Sequence, residues 1–152
     1  MKNIKGPVWI ALVLAGLFAL VVSCRKIPND TTDPDWQYTH RYKSMSSLMG
    51  KMQRHWGPLR KAGNDLDYMA KHAEDLAWDA EVLAALAPQM KDLAGEPRAS
   101  NVNYLAYARS VEENAAQARM ALQAGNWRRV SFLIDEMDNL GCRSCHADYR
   151  DK

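Results

Sequence analysis

Cys142 and Cys145 lie three residues apart near the C-terminus, and His146 follows directly, giving the run Cys142-Arg143-Ser144-Cys145-His146. This is the spacing of covalent c-type haem attachment. The chemistry explains the spacing. Two thiols must reach the two vinyl groups on one porphyrin edge, and an imidazole must then reach the iron. On a helix the three residues stand at i, i+3 and i+4, so all three are expected to project from one face. His146 would bind iron through one ring nitrogen and donate a hydrogen bond from the other, which fixes its tautomer. Two other readings of the pair are a thiol redox motif and half of a zinc site. A redox motif belongs in a βαβ context, and the sequence carries no strand pattern. A zinc site needs further ligands, and no cysteine lies between Cys24 and Cys142. One covalently held haem c is the expected cofactor.

The elements that must position this run read as helices. Glycine and proline are few and alanine is abundant, which favours helix. Helix A is expected from Asp35 to about Trp56, ending before Gly57-Pro58, with Met45, Leu48, Met49, Met52 and Trp56 as its apolar stripe. Helix B is expected from Asn64 or Asp65 to Ala87, ended by Pro88, with Leu66, Met69, Ala73, Leu76, Ala80, Leu83 and Leu86 inward. Residues 88–99 read as a loop holding Gly95 and Pro97. Helix C follows Ser100 and runs to about Ala124, with Tyr104, Ala108, Val111, Ala115, Ala118 and Leu122 inward. Gly125 is expected to end it and Asn126 to cap the next helix. Helix D runs from Trp127 into the cysteine run, with Val130, Leu133 or Ile134, Met137 and Leu140 inward. Short connections imply antiparallel neighbours. The expected fold is all-α, an antiparallel up-down-up-down four-helix bundle over residues 36–152.

A bundle whose last helix carries Gly141, Cys142, Cys145, His146, Tyr149 and Arg150 resembles the cytochrome c′ family. The resemblance is strong at the end of the chain and weak elsewhere. It implies a haem clasped by the last helix, with His146 as the proximal ligand and an arginine, here Arg150, beside it. The string Lys43-Ser44-Met45, with Arg41 before it and Met52 after, resembles the first helix of the low-spin subgroup, in which the methionine is the second axial ligand. Bundle geometry agrees. The C-terminal end of helix D would lie beside the N-terminal end of helix A, and Met52 stands roughly 10 Å further along the axis than Met45. Met45, two or three turns into helix A, is therefore the expected distal ligand. The competing reading is a core methionine that plugs the distal side without binding. His40 could replace it. His55 and His72 read as surface histidines. Arg41, Lys43 and Arg150 could supply charges to the haem environment, or stand solvated. Trp36, Trp56, Trp78, Trp127, Tyr104 and Tyr107 read as core or interface.

The N-terminus reads as an export signal. Lys2 and Lys5 precede an unbroken run of apolar residues and glycine from Val8 to Val22. Val21-Val22-Ser23-Cys24 then resembles a bacterial lipoprotein signal, which implies lipidation of Cys24; the departure is Val21, where leucine is commoner. An uncleaved anchor and ordinary cleavage are the other readings, though the run is shorter than the ~20 residues that span a bilayer comfortably. Each of the three places the C-terminal domain outside the cytoplasm, and lipidation or an uncleaved anchor would hold it at a membrane; a membrane-anchored domain in the bacterial periplasm is expected. Residues 1–23 are thus a signal or anchor. Residues 24–35, polar and holding two prolines, read as a tether.

Removing Lys2 and Lys5 with the signal takes the formal charge from +2 to about zero. No basic stripe points to nucleic acid. No acid–base pair or nucleophile stands beside a recognisable pocket, so enzyme turnover is not expected. The expected function is a membrane-tethered monohaem cytochrome passing single electrons between redox proteins. Two alternatives are a five-coordinate haem protein that binds nitric oxide or carbon monoxide, and a haem subunit or docking module of a larger membrane complex. A homodimer through helices A and B is permitted by their apolar surface.

Overall fold

A computed structural model of the chain describes residues 41–150, and every regular element in that span is helical. The signal, the tether, Cys24, Trp36 and His40 lie outside the described residues. Helix α1 spans Met45–Ala62. Ser44 caps it from an extended conformation, its Oγ accepting from the Ser47 N–H at 3.3 Å. The start expected at Asp35 is therefore corrected, because residues 41–44 are not helical. The expected stop at Gly57-Pro58 is corrected as well, since the helix runs through Pro58. A proline inside a helix costs about 3 kcal/mol. Continuing beyond it buries Leu59 and Ala62, and burying a leucine side chain offsets most of that penalty. The stop comes instead at Gly63, whose φ of +43° suits glycine.

The second helical stretch is divided. Helix α2 spans Leu66–Lys71 and α3 spans Ala73–Leu86, with His72 between them at φ −118°, ψ 22°. Asp65 caps α2 as expected, its Oδ1 accepting from Tyr68 N–H at 2.9 Å. The break lets the two pieces meet different neighbours: α2 touches α1 and the Trp127–Glu136 helix, whereas α3 follows α1 and the Val102–Gln123 helix. Met69, Leu76, Ala80, Leu83 and Leu86 are buried as expected, but Leu66 is 42% exposed. Residues 88–99, expected as a loop, hold helix α4, Gln89–Ala94, which buries Met90, and lead into a 3₁₀ turn, Arg98–Ser100.

Helix α5, Val102–Gln123, is capped by Asn101, so it starts after Ser100 as expected, with one capping residue between. All six of its expected inward residues are buried. Gly125, at φ +67°, ends it, and Asn126 caps the next helix by accepting from Arg129 N–H at 3.2 Å. Helix α6 spans Trp127–Glu136, a π-helical segment spans Met137–Arg143, and helix α7 spans Ser144–Tyr149. The most extensive packing is α3 on α5. Ala77, Ala80, Ala108, Ala115 and Ala118 are buried there or nearby, and such small side chains allow close approach. Helix α5 also carries α6, the π segment and α7, so it is the shaft against which the cysteine run is set. Among the described residues no helix is long and apolar enough to cross a membrane.

Two glycines should respond oppositely to alanine. Gly50 sits mid-helix with nothing within 4 Å of an added Cβ, so Gly50→Ala should stabilise the fold by about 0.5–1 kcal/mol. At Gly141 the added Cβ would lie 2.6 Å from Val111 Cγ2, so Gly141→Ala should destabilise by about 1–3 kcal/mol. Denaturant unfolding of the two variants checks both signs.

Candidate functional site

The cysteine run begins inside the π segment. A π turn carries i→i+5 hydrogen bonds and spaces side chains more widely than an α turn. Met137, Gly141 and Cys145 are therefore buried at steps of four, and Leu140, expected inward, is 52% exposed. The wide turn corrects that expectation, which assumed α-helical spacing. Ser144 Oγ donates to the Asn139 carbonyl at 2.6 Å, and Arg143 pairs with Asp138 on the surface. Gly141 lies directly on α5. Its missing side chain leaves room for Val111 and for the Tyr107 carbonyl, 3.7 Å from where a Cβ would stand.

The three residues of the run differ in exposure. Cys145 is buried in the core, Cys142 is half-buried against it, and His146 is exposed. Both cysteines are free thiols. Burial pushes the Cys142 thiol up to about 12, with Asp138 and Cys145 adding to the effect. Burial also pushes Cys145 up, with a contribution from Asp148 that Arg98 opposes. Reactive redox cysteines have lowered pKa values, so these two do not have the character of an exchange centre. Among the described residues no three His, Cys, Asp or Glu side chains converge as a metal-ion site.

Tyrosines fasten α7 to the first turns of α5. Tyr107 donates to Asp148 at 2.7 Å, and Tyr149 donates to Asn101 Oδ1 at 2.7 Å. That same Asn101 oxygen caps α5 by accepting from the N–H groups of Asn103 and Tyr104. The rings of Tyr104 and Tyr149 meet edge to face at 5.2 Å, and Arg98 stands over Tyr149 at 5.8 Å. Pro97, Arg98, Asp148 and Tyr149 line an open depression of about 450 Å³. Sequence reasoning missed Asn101, Arg98 and Asp148. The available signal was the pair Tyr104 and Tyr107, three apart on α5 and so facing one neighbour.

Met45 comes to the same end of the molecule. It is the first residue of α1, not two or three turns in, and it is half-buried against the core. Its sulfur lies 3.9 Å from the Tyr104 hydroxyl, and Tyr104 in turn meets Tyr149 of α7. Met52 is in the core. Arg41 is exposed and paired with Asp92 at 3.3 Å. Arg150 is exposed, its backbone N–H closing the last turn on the His146 carbonyl at 3.1 Å. His72 is on the surface, as expected, but His55 is mostly buried and bonds Asp79 at 2.9 Å between α1 and α3. Two thiols three apart with an imidazole next to the second are the donor types of a covalently held haem, but the expectation that all three share one face is corrected: Cys145 lies in the core, Cys142 is half-buried and His146 is in solvent, because the run starts in a π turn.

In the haem-free folded polypeptide, both thiols should alkylate far more slowly at neutral pH than in the unfolded chain. Stability is linked to the same protons. The folded chain keeps a proton on Cys142 that the unfolded chain loses above about pH 9.0, so stability should fall as pH rises from there towards about 12. Iodoacetamide kinetics and denaturant midpoints across that window check the two effects.

Compared with protein-family models, curated proteins and solved structures, the chain matches none.

Proposed function

We propose that this chain is an exported, membrane-tethered monohaem cytochrome of the c′ type that carries single electrons between redox partners. The observation that carries the reading is the Cys142-x-x-Cys145-His146 run set against α5, with the Met45 thioether reaching the same end through Tyr104. On this reading the helical stretches α1, α2–α3, α5 and α6–α7 form an antiparallel four-helix bundle. Cys142 and Cys145 would each add S–H across one vinyl group, sulfur to one carbon and hydrogen to its neighbour, giving two thioethers. His146 would be the proximal iron ligand and Met45 the distal one. The bound haem supplies a one-electron Fe(III)/Fe(II) couple, and a methionine ligand raises its potential. The chain's own part is to hold both axial side chains still, so that little rearranges when an electron arrives. Cys24 would carry the lipid that keeps the domain at the membrane.

The five-coordinate, gas-binding alternative rests on the same attachment and differs only at Met45. Purified mature protein should be coloured, keep its pigment in acid acetone, and show a haem c pyridine haemochrome. Ferrous protein should bind carbon monoxide slowly, and Met45→Ala should make that binding rapid. Cys24→Ser should release the coloured domain from the membrane fraction. A colourless mature protein overturns the reading. Rapid carbon monoxide binding by the unaltered protein moves it to the five-coordinate alternative.

A further inference from the structure

Tyr104 joins the two halves of the candidate site. Its side chain is buried, its ring meets Tyr149 of α7, and its hydroxyl lies 3.1 Å from the Met90 carbonyl and 3.9 Å from the Met45 sulfur. A phenol has one proton, so it serves one acceptor at a time. The carbonyl is the stronger and nearer acceptor, and the sulfur lies within the longer reach of a sulfur contact.

The location explains why this contact matters. Met45 is the first residue of α1, next to the Ser44 cap and half-buried against the core. A methionine there has three rotatable side-chain bonds and nothing in the helix to fix them. Tyr104, by contrast, is anchored: its own N–H donates to Asn101, which also accepts from Tyr149. The order of α5 and α7 is thereby passed to a side chain on α1.

We infer that Tyr104 is a positioning residue for Met45, its hydroxyl fixed by the Met90 carbonyl and packed against the thioether on the side of the molecule that carries the cysteine run. The inference rests on the proposed methionine ligation and adds the residue that makes this ligation compete with outside ligands. Tyr104 touches the thioether, and on this reading its effect would pass through Met45.

A double-mutant cycle on holoprotein tests it, with imidazole as the competing ligand for ferric iron. Removing the hydroxyl, and with it the bond to the Met90 carbonyl that holds it against the sulfur, should let imidazole bind about three- to tenfold more tightly to Tyr104→Phe than to the unaltered protein. In a Met45→Leu background the same substitution should change nothing. Tighter binding that persists in that background would mean a general loosening of the helices, and it would overturn the inference. Equal affinity of Tyr104→Phe and the unaltered protein, with Met45→Leu clearly tighter, overturns the positioning role and leaves methionine ligation standing. Equal affinity of Met45→Leu and the unaltered protein overturns ligation itself, and the positioning role with it. Should Tyr104→Phe yield no holoprotein, proton NMR of the ferrous unaltered protein decides. A slowly exchanging Tyr104 hydroxyl close to the Met45 methyl supports the inference, and its absence overturns it.

Discussion

The cysteine-bearing end of this protein depends on one close approach, that of Gly141 to α5. A side chain at residue 141 would run into Val111, and Val111 is β-branched, so it has little rotamer freedom with which to yield. With only hydrogen at that position, the π segment lies flat against the shaft of the fold. Cys142 and Cys145 are then brought beside the core, one residue and four residues later. Tyr107, Asp148, Tyr149 and Asn101 tie down the last helix beyond them. The arrangement of the cysteine run is thus a packing consequence before it is a chemical one.

The wide turn and the glycine belong together. At about 100° per residue Gly141 already falls within about 40° of Met137, and Leu140 about 60° to the other side, at the margin of the buried face. The wider π turn swings Leu140 out to solvent while Gly141 stays against α5. π segments occur often at functional sites, and here the adjoining residues are the candidate ligands. The burial that results keeps both thiols protonated. Neutral thiols resist stray oxidation and disulfide exchange.

Much of this is legible in the residues. The stripe on α5 is plain because its period is unbroken over six turns and no residue type conflicts with it. Asp65, Gly125 and Asn126 declare the helix ends through their own chemistry. What misleads is local propensity opposed by tertiary packing. Pro58 is a helix breaker, yet burial of Leu59 and Ala62 carries the helix past it. Helix α4 has six residues, too few to show a period. The π turn leaves no mark, because one extra residue per turn is invisible when apolar residues are sparse. In the candidate site the cysteine run is plain, being contiguous. Asn101, Arg98 and Asp148 are not, because their partners lie roughly fifty residues away or on another element.

The openness of the site bears on how a cofactor could be kept there. A ligand held without covalent bonds generally has most of its surface buried in an enclosed cavity. The depression beside α7 is open, and its walls are Pro97, Arg98, Asp148 and Tyr149. None of Cys142, Cys145, His146 and Met45 is among those walls. On the proposed reading two thioether bonds would replace an enclosed cavity, since attachment would not depend on buried area. Such an arrangement would have to draw on residues of unequal exposure, with Cys145 in the core and His146 beside it in solvent.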